Sequence, residues 1–293
     1  MTRHSTIVPL LCGILATLSW SIGNVLSKTA LSSIEPLSLL TGQLAVSAAS
    51  LSALSMWSGA PIRLADWRVG LPGILQPALA FGLSTFGLRM LPATAETMLF
   101  AIETPVVVLL AWPILGERPS RAIGFLCCLA LVGVGLLGWN SEADLDGLRE
   151  MGVVLVLAGV LFASLYNIAI RRMSANVDAL RLAAASQIVA FLVVGLAWIV
   201  AGPSANASLT IVDGALVFTS GLLLLAIPFL LYGVTLEQIG ATAAALLLPL
   251  VPLFTAAFAS LFLQETLTGR QWLGAATILL SALGMPFALR APR

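Results

Sequence analysis

Charge is what this chain has least of. Of its 293 residues, 9% are Asp, Glu, Lys or Arg, and 59% are hydrophobic. A soluble globular protein carries about 25% charged residues. A chain this apolar cannot cover itself with polar groups, so the bilayer is its solvent. The net charge is +1, with Lys and Arg spread among loops, which argues against a nucleic-acid partner. His4 is the only histidine. Cys12, Cys127 and Cys128 lie inside apolar runs with no CxxC or Cys/His cluster, so they read as small buried hydrophobes. A zinc site and a His-based catalytic constellation are thereby disfavoured. No Walker-type Gly-Lys-Ser/Thr is present, so ATP is not the expected energy source, and no cofactor is implied.

What the chain has is long apolar runs. A membrane helix needs about 20 mostly apolar residues. Ten such spans are predicted, at 8–28, 37–57, 69–91, 94–115, 121–139, 151–171, 180–201, 213–235, 240–262 and 270–289. The first could pass for a signal peptide, but Trp20, Asn24 and Lys28 stand where small residues would mark cleavage, so it reads as a retained helix. The longest polar break, Asn140 to Glu150, falls near the midpoint. With the N-terminus in the cytoplasm, inside segments hold Arg3, Arg63, Arg68, Arg118, Arg121, Arg171, Arg172, Arg181, Arg290 and Arg293, against Lys28, Arg89, Arg149 and Arg270 outside. The bias places both termini in the cytoplasm.

The halves repeat one another. Ala93-Thr94-Ala95 returns as Ala241-Thr242-Ala243, and Glu117 as Glu265, each 148 residues later. Asn24 and Lys28 align with Asn167 and Arg171 at an offset of 143. Five spans per copy is an odd number, so the second copy enters the membrane from the opposite side. The expected fold is an all-α integral membrane protein with ten transmembrane helices in two inverted five-helix repeats, 1–140 and 151–293, joined by a linker at 141–150. Inverted repeats are typical of secondary transporters, with the substrate site near the midplane between the copies.

The chain resembles the drug/metabolite transporter superfamily, in its EamA-type branch of ten-helix exporters. The resemblance rests on Trp20 and Lys28 in span one, Pro36 opening span two, and the short turn before Ala93-Thr94-Ala95. It rests also on Pro105, on Gly116-Glu117-Arg118-Pro119-Ser120, and on Gly124, Gly133 and Gly135. The second half echoes this with Gly240-Ala241-Thr242-Ala243, Pro249, Pro252, Gln264-Glu265 and Gly274. Two departures stand out: Gln43 where many relatives carry Arg, and Gln264 opposite Gly116. Length and polar inventory are most similar to the aromatic amino-acid exporters. The resemblance implies a bacterial inner-membrane location and outward transport.

Polar residues inside the spans are the candidate site. Asn24, Gln43, Gln76, Asn167 and Gln187 lie on five different spans. Each could simply tie one helix to another, worth roughly 0.6–2 kcal/mol. If their faces converge, they line an uncharged polar cavity suited to a zwitterion. Thr17, Ser21, Asn24 and Lys28 form a stripe on span one with Trp20 beside it. Ser164, Asn167 and Arg171 do the same on span six, beside Tyr166. Trp20 and Tyr166 could stack on a planar or cationic substrate or serve the interfacial aromatic belt.

Glu103, about mid-depth in span four, is the sharpest signal, because an acid there costs about 2.5–3.5 kcal/mol. Glu96 lies seven residues earlier, nearly on the same face. Their counterparts in the second copy are Val251 and Ala244, so the acids break the pseudo-symmetry. Glu103 is expected to take a substrate ammonium or to carry a proton, with Glu96 a second candidate for proton handling; the plain alternative is a protonated acid bonded to a helix backbone. Pro77, Pro105, Pro228, Pro249 and Pro252 mark bends or pivots. Small residues on spans five and ten, among them Gly133 and Gly284, suit close packing or a dimer contact, so the chain is read as a monomer or weak homodimer. Asn206-Ala207-Ser208 matches a glycosylation acceptor, incidental in a bacterium.

Together these features favour a secondary transporter exporting small polar metabolites, amino acids including aromatic ones, by alternating access. A channel would need rings of charge, which the chain lacks. An integral-membrane enzyme and a transporter of other metabolites or drugs are the alternatives.

Overall fold

The computed structural model describes residues 7–59, 62–63, 67–115, 120–138, 147–173, 178–202, 210–239, 244 and 247–290. Among them there is helix and no strand. The helices form ten spans. They are span one (Ile7–Ala30), two (Pro36–Trp57), three (Trp67–Met90), four (Ala93–Phe100 and Glu103–Leu115), five (Arg121–Gly138), six (Leu148–Met173), seven (Ala179–Ala201), eight (Ile211–Ile239), nine (Leu250–Phe262) and ten (Gly269–Arg290). Seven of them are long and apolar enough to cross a membrane, and Arg121–Gly133 and Leu250–Phe262 are shorter apolar helices. The expected spans are therefore present. The start expected for span nine, the repeated Ala241-Thr242-Ala243, Glu117, most of the linker and the Asn206 sequon lie outside the described residues.

Burial runs opposite to that of a water-soluble protein. Gln43 and Gln187 are fully enclosed, while Ile211 is 93% and Val200 79% exposed. A bilayer rewards this distribution: lipid accepts apolar side chains on the outside, and polar ones must find partners within.

Contacts between spans respect an exchange of halves. Span one packs on spans eight and nine, and span six packs on their counterparts, three and four. Spans two and seven face each other, as do five and ten. The principal contacts thus cross between halves. Gly133, expected at a close helix contact, makes it inside the chain, against the Gly274 carbonyl and Thr277 of span ten.

Prolines shape the spans locally. Span four breaks at Ala101–Ile102 because Pro105 has no N–H to give the Ala101 carbonyl; it sits instead in the first turn of Glu103–Leu115, where that donor is not needed. Spans three and eight carry wide π-helical segments at equivalent places, Leu75–Leu79 and Gly221–Ala226. Gln76 interrupts the first with extended backbone (φ −146°, ψ 126°) just before Pro77. At each wide segment a glycine lets two backbones touch. A Cβ on Gly221 would lie 2.9 Å from the Gln43 carbonyl oxygen, and one on Gly73 would collide with the Ser186 carbonyl. Gln43 and Ser186 are repeat partners at the 143-residue offset, and Gly73 and Gly221 at 148.

Candidate functional site

Two asparagines related by the repeat reach two acids on a single span, one on each side of its break. From span six, the Asn167 amide donates to Glu103 Oε1 at 2.6 Å and also to the Ala163 carbonyl at 3.2 Å. From span one, the Asn24 amide donates to Glu96 Oε2 at 2.8 Å. Ser84 of span three donates to the other oxygen of Glu96. Span four, packed on spans six and nine with a smaller contact to span one, supplies both carboxylates.

The scaffolding beneath is shared. Ser164 donates to the Glu103 backbone carbonyl at 3.4 Å, and its repeat partner Ser21 donates to the Val251 carbonyl at 2.9 Å. Val251 is the counterpart of Glu103. The backbone contact is thus kept in both halves, and the acid occurs in one.

The two acids sit in different surroundings. Glu96 is 3% exposed and both its oxygens accept hydrogen bonds. Glu103 is half-buried, and among the described residues its Oε2 accepts none. The phenols of Tyr166 and Tyr232 lie within electrostatic reach of Glu103. Tyr232 is 5.4 Å from Trp20, ring centre to ring centre, and Trp20 is 6.0 Å from Phe229. Phe81 continues the series, 6.0 Å from Phe229 and 6.1 Å from Phe100. Rings from spans one, three, four and eight therefore form a continuous rail beside the acid. Inside this region the Trp20 indole N–H and the Asn24 side-chain oxygen are enclosed without a partner among the described residues.

Trp20, Asn24, Glu96, Glu103, Tyr166 and Asn167 thus come together. Gln43 instead donates to Ser27 at 2.8 Å and Ser220 at 2.7 Å, tying span two to spans one and eight. Gln187 donates to the Leu225 carbonyl at 3.4 Å. Both act as helix ties, with one side-chain oxygen each left enclosed and, among the described residues, unpartnered. Gln76 is buried at the interruption of span three. Sequence reasoning passed over Tyr232, Phe229, Phe81, Phe100 and Ser84. Their only signal was position: Ser84 and Tyr232 are 148 apart, so a site on one implicates the other.

The repeated phrase also acquires a physical meaning. Glu265, in the loop after span nine, accepts from the backbone N–H groups of Ala93 (2.8 Å) and Thr94 (3.1 Å), and from the Thr94 hydroxyl (3.1 Å). It caps the start of span four, which belongs to the other half. Lys28 donates to the carbonyls of Leu88 (2.8 Å) and Leu91 (2.7 Å), capping the end of span three. A carboxylate at a helix start and an ammonium at a helix end both match the helix dipole. Together the two charges clamp the short turn at Leu91-Pro92, beside an open cleft of about 570 Å³.

The sequence profile of the EamA-like transporter family matches residues 7–139 and 150–286. The chain belongs to this family. The family is of the drug/metabolite transporter type, and the chain has its two-repeat membrane fold. It is 27% identical over 178 residues to "Uncharacterized transporter YcxC" of Bacillus subtilis (strain 168), a stretch covering 59% of this chain. The match spans 57% of the length of that curated relative. A solved structure described as "Crystal structure of protein" shares the fold, with a TM-score of 0.70 at 19% identity over 98% of this chain and 100% of that one.

Proposed function

We propose that this transporter exports small metabolites bearing an ammonium group, amino acids including aromatic ones among them, across a bacterial inner membrane. Repeats 1–140 and 151–293 would move against each other around span four, with both termini in the cytoplasm. One observation carries the reading: the repeat-related Asn24 and Asn167 meet two acids on one span.

A carboxylate with an unoccupied oxygen, flanked by rings, suits an ammonium, because charge and π-faces both attract it. In this reading Glu103 takes the ammonium, Asn167 orients the carboxylate, and Trp20, Tyr166 and Tyr232 receive an apolar or aromatic side chain. Glu96 and Glu103 handle protons. Gln43, Gln76 and Gln187 set the spans around the cavity. Alternating access requires contacts that break at one end while forming at the other. The Glu265 cap, which crosses between halves, is suited to that.

The test is efflux from proteoliposomes loaded with a panel of radiolabelled amino acids and amines, with and without a pH gradient. Saturable efflux of at least one aromatic amino acid, reduced at least tenfold by Glu103→Gln, is expected. Background efflux for every compound would overturn the reading.

A further inference from the structure

We propose that Asn24, Ser84 and Glu96 form a binding site for a small monovalent cation, a proton or Na⁺, separate from the substrate position at Glu103. The proposal rests on the transport reading above and adds to it the place where a coupling ion would bind.

The site is built from three elements packed together: span one (Asn24), span three (Ser84) and the first helix of span four (Glu96). Glu96 accepts from neutral donors alone, the Asn24 amide and the Ser84 hydroxyl. Among the described residues no cationic side chain pairs with it. A carboxylate removed from water with neutral donors only is stabilised by an added cation, because attraction strengthens as the local dielectric falls.

A second observation points the same way. Asn24 is 8% exposed, and among the described residues its enclosed side-chain oxygen accepts nothing. That oxygen belongs to the amide already bonded to Glu96, so it lies next to the carboxylate. An acceptor left empty beside a carboxylate is what a proton or a small cation satisfies; oxygen-only ligands suit a hard cation. Glu103 offers no such enclosure: its region is half-buried and lined with rings.

The other charged or titratable groups on the packed elements have separate duties. Lys28 on span one is committed to the Leu88 and Leu91 carbonyls, and Glu265 to the start of span four. Arg89 on span three and Arg270 on span ten are exposed, as is Glu150 at the start of span six, where Arg149 is half-buried. Tyr166 on span six lies by Glu103, seven residues along span four.

The site predicts cation binding without substrate. Trp20, one turn from Asn24 on span one, provides the report. Purified full-length protein would be titrated with NaCl at fixed pH, and with acid at fixed Na⁺, following tryptophan emission, with choline chloride as the ionic-strength control. Wild type should show a saturable response to Na⁺, to protons, or to both, which identifies the ion. Glu96→Gln should lose that response or shift its midpoint at least tenfold. If Glu96→Gln does not elute as a monodisperse peak, Ser84→Ala decides: a midpoint shift of threefold or more supports the site, and an unchanged midpoint overturns it. A wild-type protein indifferent to both ions, or a response unaltered in folded Glu96→Gln, also overturns it. Because no substrate is present, these outcomes are independent of whether the amino-acid panel shows transport.

Discussion

The interface of span six with span four and that of span one with span nine are the same backbone contact made twice, with different side chains around it. Ser164 reaches the Glu103 carbonyl and Ser21 reaches the Val251 carbonyl. In the first copy the asparagine one turn on finds an acid at the contacted residue; in the second it finds valine. Asn24 therefore bonds across to Glu96 on span four. Symmetric backbones with asymmetric side chains teach that architecture and chemistry separate here. The repeat fixes where helices cross, and two divergent pairs of positions, 96 with 244 and 103 with 251, put the charge on span four alone.

That comparison is broken most forcefully at Glu103. Glu103→Gln keeps the size and removes the charge. A hydrogen bond to a charged group contributes about 1.5–3 kcal/mol, so efflux of an ammonium substrate should fall by roughly 10- to 100-fold. The pH dependence of efflux should also flatten, because the group at the substrate position no longer titrates. Efflux equal to wild type at every pH from proteoliposomes would remove Glu103 from the site.

Stability should rank the two acids the other way. Glu96→Leu strips the acceptor from both Asn24 and Ser84 in a sealed place, and each orphaned group costs about 1–3 kcal/mol. Glu103→Leu should cost less, because Asn167 keeps the Ala163 carbonyl and the position is half-buried. The thermal midpoints of the two variants in detergent check this. A larger drop for Glu103→Leu would refute the distinction drawn between a sealed acid and an accessible one.

The same contrast shows what the sequence could reveal. The ten spans were legible because a bilayer demands long apolar runs. The repeat was legible from Ala93-Thr94-Ala95 and Glu117 returning at one offset. Glu96 and Glu103 stood out because charge inside a span is costly and the second copy lacks both. Which asparagine meets which acid was not legible: lipid-facing and protein-facing sides are both apolar, so periodicity hardly tells a helix's inner face from its outer one. The rail of Tyr232, Phe229, Phe81 and Phe100 was hidden for the same reason, since aromatic residues also suit lipid. The wide segments of spans three and eight left only the traces of Pro77 and Pro228. Gln43 and Gln187 passed as possible cavity groups because a helix tie and a ligand contact use the same side chain.

A smaller effect probes the symmetry itself. Gly73→Ala and Gly221→Ala push a methyl against the Ser186 and Gln43 carbonyls, repeat partners on spans seven and two. Overpacking of this kind costs about 1–3 kcal/mol. The two variants should lower the thermal midpoint by similar amounts. A neutral Gly221→Ala beside a disruptive Gly73→Ala would show that the halves bear load unequally at this crossing.

The smallest expected change is at Glu265, and it is the one that links the two halves at the end of span four. Glu265→Ala removes the acceptor of the Ala93 and Thr94 N–H groups. Cap removal costs about 0.5–2 kcal/mol, near the lower end here because the loop is half-exposed and water can replace the carboxylate. If the cap were only a local helix signal, Glu265→Ala and Glu265→Gln would lower stability slightly and leave transport alone. Glu265, however, belongs to the second half and span four to the first, so the cap also holds the halves together at that end. Its loss should shift the balance between inward- and outward-open states. A cysteine pair at Thr94 and Glu265 should therefore cross-link readily in resting protein and slow efflux at least fivefold, with recovery on reduction. Efflux unchanged by the cross-link would leave Glu265 as a helix cap and nothing more.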